Sequence, residues 1–184
     1  GINTSSSWLW QGQGATNPKR LWLPLDLLVG QMGFQRQSDE GGERLEWYGV
    51  QLPLSGLQQR TIGDEVALDA LPWLNAIGVQ VNRSKNTLKV ELPQPHLKTL
   101  RQGKGSSANR LVMDLSGPAL VQRQGDDLLL QIKVTPLQES HLRRIGLQTR
   151  RGQGGLKLLG QSSKLSTLTL KEPWRVVLDG ITPT

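Results

Sequence analysis

The sequence predicts an α+β protein in two parts. A small α+β domain with an internal β-α-β-β pseudo-repeat spans residues 20–93, and an all-β sandwich spans residues 96–184. Three observations predict it. The stretch "LWLPLDLLVGQMGF" at Leu21–Phe34 returns as "VALDALPWLNAIGV" at Val66–Val79, a shift of 45 residues. The stretch "RLVMDLSGP" at Arg110–Pro118 returns as "RVVLDGITP" at Arg175–Pro183, a shift of 65 residues. Between them stands "LPQPHL", where Pro93 and Pro95 stop a strand and stiffen a short linker.

Residues 1–19 read as one short strand with loose ends, because Trp8-Leu9-Trp10 sits between Ser-rich and Gly-rich flanks. A W-x-W pair puts both rings on one strand face, where packing on the fold competes with stacking on a sugar. In the pseudo-repeat, Leu21 and Leu23 match Val66 and Leu68 as a short alternating strand. Leu25, Leu28, Val29 and Met32 match Ala70, Trp73, Leu74 and Ile77. Their i, i+3, i+4, i+7 spacing is the apolar stripe of a short helix. Gly33 and Gly78 follow the stripes, where a left-handed cap is wanted, and Pro24 and Pro72 fall at the helix starts. Strand material follows each helix: "RLEWYGVQLPL", then "VQVNRSKNTLKVEL" with a polar turn at Ser84–Asn86 and alternating Leu88, Val90 and Leu92.

From His96 onward the apolar pattern predicts strands at 97–102, 110–115, 119–124, 128–134, 141–149, 156–160, 165–170 and 175–178. Gly125-Asp126 marks a hairpin. "RRGQGG" at Arg150–Gly155 reads as a basic, flexible turn, and "GKGSS" at Gly103–Ser107 as another. Two half-repeats run from His-Leu-basic (His96, His141) to Arg-x-Val-x-Asp.

At this point the chain resembles two known families. Strand, short helix, glycine and hairpin, repeated over residues 20–93, resemble the copper amine oxidase N-terminal-like domain of bacterial envelope proteins. Leu170, Pro173, Arg175, Val177 and Asp179 follow the L-x-x-P-x-R-[LV]-V-x-D signature of AMIN domains, and "NRLVMDLSGPALVQ" resembles an earlier strand of that family. That resemblance implies an AMIN-like β-sandwich that binds or localises to peptidoglycan. The tandem order is similar to the N-terminal region of cyanobacterial phosphodiester glycosidase family proteins. It implies a periplasmic, envelope or secreted setting and a catalytic domain further downstream.

Charge points to an anionic partner. Residues 1–95 hold 8 Lys/Arg and 9 Asp/Glu (8 − 9 = −1), and residues 96–184 hold 14 and 6 (14 − 6 = +8), summing to the net +7 of the chain. The second part therefore either meets an anion or simply presents a solvated basic surface. The candidate ligand-binding residues are Arg143, Arg144, Arg150, Arg151, Lys98, Arg101, Lys104 and Lys157. Arginine forks suit carboxylate and phosphate groups, so peptidoglycan or an acidic exopolysaccharide qualifies as partner. Nucleic acid fits less well, because residues 96–184 hold one aromatic, Trp174, for base stacking. The repeated Arg110/Asp114 and Arg175/Asp179 pairs admit two readings: strand-ending caps with surface arginines, or a ligand-facing row.

Catalytic and metal patterns are thin. The chain has no G-x-S-x-G, H-E-x-x-H or phosphate-binding G-K-[ST], and "GQGATNPKR" lacks the last of these. Asp39/Glu40, Asp64/Glu65 and Asp126/Asp127 are sequential pairs in turns, whereas glycosidase carboxyls stand roughly 5–9 Å apart across a cleft. With no Cys, and His96 and His141 lacking a nearby His, no cofactor, copper or other metal site is assigned. No apolar run reaches the roughly 20 residues of a membrane span. The chain opens on Gly1 without a signal-type run, which suggests an excised or processed piece. The reading is a non-catalytic envelope module holding an anionic glycan. The alternatives are an accessory region of a phosphodiester glycosidase and a protein–protein assembly module pairing through strand edges.

Overall fold

A computed structural model of the chain describes residues 2–4, 7–54, 59–62, 65–103 and 109–181. The chain is mainly β. It divides into two compact units, Gly1–Glu46 with Val50–Leu92, and Trp47–Gly49 with Pro93–Thr184.

The first unit runs β1 (Ile2–Thr4), β2 (Leu9–Gln11), β3 (Arg20–Pro24), α1 (Leu25–Leu27), β4 (Gln35–Asp39), β5 (Gly42–Trp47) and β6 (Val50–Pro53). It continues with β7 (Gln59–Ile62), β8 (Glu65–Asp69), α2 (Leu71–Ile77), β9 (Gln80–Ser84) and β10 (Thr87–Glu91). These form sheets ordered β1-β10-β9, β2-β3-β8-β7 and β4-β5-β6. The two copies of the pseudo-repeat meet at β3 and β8, which pair antiparallel with Leu23 opposite Leu68. Because 68 is 23 shifted by 45, each leucine faces its own counterpart, and a local pseudo-twofold axis passes between them. Both are fully buried. The strand is not alternating as expected: Trp22 is also buried, and Val66, the counterpart of Leu21, stays 40% exposed.

Both helices end on glycines in the left-handed region, Gly33 at φ 91° and Gly78 at φ 92°. At α2 the Val79 and Gly78 N–H groups donate to the Leu74 and Asn75 carbonyls, closing the orphan end. The first helix differs from expectation. After one α turn it widens into a π turn over Leu28–Met32, and the Gly33 N–H reaches back five residues to the Leu28 carbonyl. Gly30 within this stretch weakens the α alternative.

The second unit runs β11 (Leu97–Gln102), β12 (Arg110–Leu115), β13 (Val121–Gln124), β14 (Asp127–Leu130), α3 (Pro136–Ile145), β15 (Thr149–Gly152), β16 (Gly155–Leu158), β17 (Ser166–Leu170) and β18 (Arg175–Asp179). Two four-stranded sheets, β11-β12-β18-β17 and β13-β14-β16-β15, share one core. Leu111, Met113, Val176 and Leu178 come from the first sheet; Leu128, Leu130, Leu156 and Leu158 come from the second.

One expected strand is wrong. Residues 141–149 do not extend; α3 occupies 136–145, and Leu142 and Ile145 enter the core from a helix. The second part is therefore not all-β, and the His-Leu openings of its half-repeats are not equivalent. His96 lies just before β11, whereas His141 is helical. The cause is local. Thr135 Oγ1 accepts from the Gln138 N–H while Gln138 Oε1 accepts from the Thr135 N–H, a capping box with Pro136 behind it. Gly146 closes the other end at φ 112°.

Tyr48 belongs to this core. It sits between β5 and β6 at φ 47° followed by Gly49 at φ 78°, the two positive angles of a tight hairpin turn. A left-handed conformation on a bulky residue costs about 1–3 kcal/mol. Burying an aromatic ring of roughly 150–250 Å² at about 25 cal/mol per Å² contributes on the order of 4–6 kcal/mol, so burial wins. The ring is fully buried and meets Trp174 edge-on at 5.4 Å. Its hydroxyl donates to the Ala119 carbonyl and accepts from the Ala119 N–H, and its own N–H donates to Thr169 Oγ1 at 2.9 Å. Burial pushes the phenol far above its ordinary range, and the Ala119 bond offsets only part of that.

Tyr48→Phe leaves both backbone groups of the buried Ala119 without this partner. It is expected to lower the stability of the second unit by about 2–4 kcal/mol. Hydrogen exchange of the β12 and β18 amides reads this directly, and unchanged protection would contradict the role assigned to the hydroxyl.

Candidate functional site

The basic face is built on the β15–β16 hairpin. Its register pairs Arg150 with Lys157, Arg151 with Leu156 and Gly152 with Gly155. The arginines of "RRGQGG" therefore lie on a strand, and only Gln153-Gly154 turns; the expected basic, flexible turn is an ordered hairpin. Gly155 is required here: at φ 122°, a Cβ would run into the Leu130 carbonyl oxygen.

Arg150 and Lys157 stand directly opposite each other. Like charges in a cross-strand pair cost stability rather than adding it. Neither has an ion-pair partner among the described residues. They border a groove of about 240 Å³ together with Gln124, Leu129 and Arg151. Leu129 supplies an apolar wall, and the Gln124 amide can both donate and accept. The arrangement suits a ring-sized ligand carrying an anionic group.

Glu139 divides the other candidates. Its carboxylate, only 5% exposed, takes ion pairs from Arg143 one helical turn on and from Arg151 on β15, and accepts from Thr149 Oγ1 at 3.1 Å. Two of the expected ligand cations are thus tied to one buried carboxylate. Sequence reasoning missed Glu139. The signal was its i, i+4 spacing to Arg143, which carries meaning only on a helix. Arg144, also in the last turn of α3, is exposed and has no ion pair among the described residues.

The remaining candidates lie elsewhere. Lys98 and Arg101 are on β11, in the other sheet from Arg150 and Lys157. Arg101 is occupied: its Nε and Nη2 grip both Asp114 oxygens at 3.1 and 3.0 Å. Lys104 and most of its "GKGSS" turn lie outside the described residues. The seven described candidates therefore do not form one patch.

The repeated Arg/Asp pairs are part of the sheet. β12 and β18 pair antiparallel with Val112 opposite Val177, Arg110 opposite Asp179 and Asp114 opposite Arg175. Arg110 meets the Asp179 carboxylate at 2.9 and 3.1 Å. Asp114 accepts from Thr99 as well as Arg101. Partial burial works to raise the Asp114 carboxyl, but the Thr99 and Arg101 hydrogen bonds outweigh it, helped by nearby Arg175, and hold it below its ordinary value.

No family model matches the chain, and no curated protein matches it. Among solved structures, the crystal structure of a hypothetical protein from Synechocystis is similar, with a TM-score of 0.68 at 20% identity. The likeness covers 96% of this chain and 32% of that one. It shows the fold. This chain spans about a third of the length of that protein.

The lowered Asp114 carboxyl has a pH consequence. The unfolded carboxyl titrates at about 3.9, above the folded one. Its contribution is therefore complete above that value and is lost as pH falls through the folded value. Asp114→Asn is expected to flatten the loss of stability below about pH 4. Urea midpoints taken across that range measure it, and an unchanged acid limb would count against the carboxylate.

Proposed function

We propose that the chain is a non-catalytic cell-envelope module that holds an anionic glycan, peptidoglycan or an acidic exopolysaccharide, at the β15–β16 hairpin. One observation carries the reading: Arg150 and Lys157 are paired across the hairpin, beside a ring-sized groove, with no carboxylate partner among the described residues. A sheet that needed only stability would not oppose two cations. Arg150 offers a fork for a carboxylate or phosphate, Lys157 a point charge, and Leu129 a surface for the apolar side of a sugar ring. Binding of this kind is weak per site and falls as salt rises. The family reading goes with it: a copper amine oxidase N-terminal-like first domain, supported by the self-paired β3/β8 repeat, and an AMIN-like second domain, supported by the Arg-x-Val-x-Asp strands.

A second reading is the accessory region of a phosphodiester glycosidase whose catalytic domain lies downstream. The observation favouring it is that the similar Synechocystis protein is about three times as long as its matched part.

Co-sedimentation with isolated sacculi and with alginate at low salt tests the proposal. The chain is expected to pellet with at least one, and Arg150→Glu with Lys157→Glu to weaken retention about tenfold or more. Arg110→Ala is expected to retain binding. Retention no greater than that of a neutral control protein would remove the reading.

A further inference from the structure

The first unit holds a cleft of different chemistry. It has a volume of about 270 Å³ and lies between the segment before β3, helix α2 and the β9–β10 hairpin. The exposed side chains of Asn17, Asn75, Gln80 and Asn82 line it together with Glu91, and the buried Val79 and Val81 also border it. None of the four carboxamides has a protein hydrogen-bond partner among the described residues. Among the described residues no Lys or Arg lines the cleft, and the charge of Glu91 is held by Lys89 at 2.7 Å.

The cleft is pre-built. Gln80 and Asn82 share one face of β9, and the register sets Gln80 opposite Glu91 and Asn82 opposite Lys89. The facing wall is fastened by Arg83, whose Nε and Nη2 donate to the Gly14 and Gly12 carbonyls at 2.9 and 3.2 Å. The Arg83 N–H donates to the Ala15 carbonyl at 2.9 Å, and its guanidinium lies 5.1 Å from the centre of the Trp10 ring. Asn82 also borders a second, more open groove of about 480 Å³, but Arg83, Lys85 and Lys89 line that groove beside Ser84 and Thr87, so its chemistry is cationic and distinct from that of the cleft.

We propose that this cleft binds the hydroxyl groups of an uncharged glycan. A carboxamide donates and accepts at once, and so does a sugar hydroxyl. Four carboxamides that no protein group engages among the described residues, with an accepting carboxylate at the same cleft, match a polyhydroxylated ring. Among the described residues no Lys or Arg lines the cleft itself, and Lys89, opposite Asn82, is engaged by Glu91, so the cleft offers little to draw a phosphate or carboxylate. A fixed wall reduces the ordering cost of binding. This site is separate from the basic hairpin, and its ligand differs in charge.

Titration of the ¹⁵N-labelled full chain with cellohexaose and with chitohexaose at millimolar concentration tests it by NMR. The side-chain amide signals of Asn75, Gln80 and Asn82 should shift with at least one of the two, and the shifts should persist when salt is raised. Asn75→Ala with Asn82→Ala should weaken binding about fivefold or more while the spectrum stays dispersed. The Arg150→Glu/Lys157→Glu chain should bind as the parent does, which separates this site from the anionic one. No shift with either sugar, shifts that vanish in salt, or full binding by the Asn75/Asn82 variant would overturn the proposal.

Discussion

Val112 faces Val177 across the β12–β18 ladder, and the second unit depends on that register. Because the two strands carry the same Arg-x-Val-x-Asp pattern, pairing each valine with its counterpart makes the ladder pseudo-twofold. Leu111, Met113, Val176 and Leu178 then reach the core together, while each arginine stands opposite the other strand's aspartate. A slip by one residue would turn the core set outward and break the Arg110–Asp179 pair. The Arg110–Asp179 contact is more than half exposed on the arginine side, so solvent screens it and it adds little stability of its own. Its larger effect is on register, because a slip by one residue sets Arg110 opposite Gly180 or Leu178 and takes it away from Asp179.

The same device appears in the first unit, where Leu23 faces Leu68. Both repeats are visible in the sequence as fixed offsets, and for that reason much of the strand layout was legible. The limits of β11 and β12, the Gly125-Asp126 hairpin and the two left-handed glycines after the short helices all follow from apolar spacing and turn chemistry. Helix α3 was not read, although Thr135, Pro136, Gln138 and Gly146 spell its start and stop. The apolar residues misled there: Leu142, Ile145 and Leu147 fit neither period cleanly, and Leu137 on the same helix is 76% exposed. Where the apolar pattern is weak, capping residues are the better witness.

The candidate site was less legible than the fold, for a physical reason. Local charge density reports how many cations a segment carries, not how many are spent. Glu139 spends Arg143 and Arg151, and Asp114 spends Arg101; both depend on contacts the linear sequence does not display. Tyr48 is the extreme case. It lies far from Ala119 and Thr169 in the chain, and its left-handed turn gives no hint of a buried hydroxyl with two backbone bonds.

What emerges is a division of charge. The repeated Arg/Asp pairs serve the sheet, and two cations without an ion pair among the described residues, Arg150 and Lys157, oppose each other on the β15–β16 hairpin, where their mutual repulsion has no structural return. Exchanging the partners of one sheet pair separates the two roles. The double variant Arg110→Asp with Asp179→Arg keeps the ladder and reverses its polarity. The most direct measurement is the sacculus affinity of this swapped chain beside its urea midpoint. The account predicts that each single change lowers the midpoint, that the swap restores it, and that affinity stays at the parent value throughout. Loss of affinity in a swapped chain that folds as well as the parent would place the ligand on the sheet pair and contradict the account.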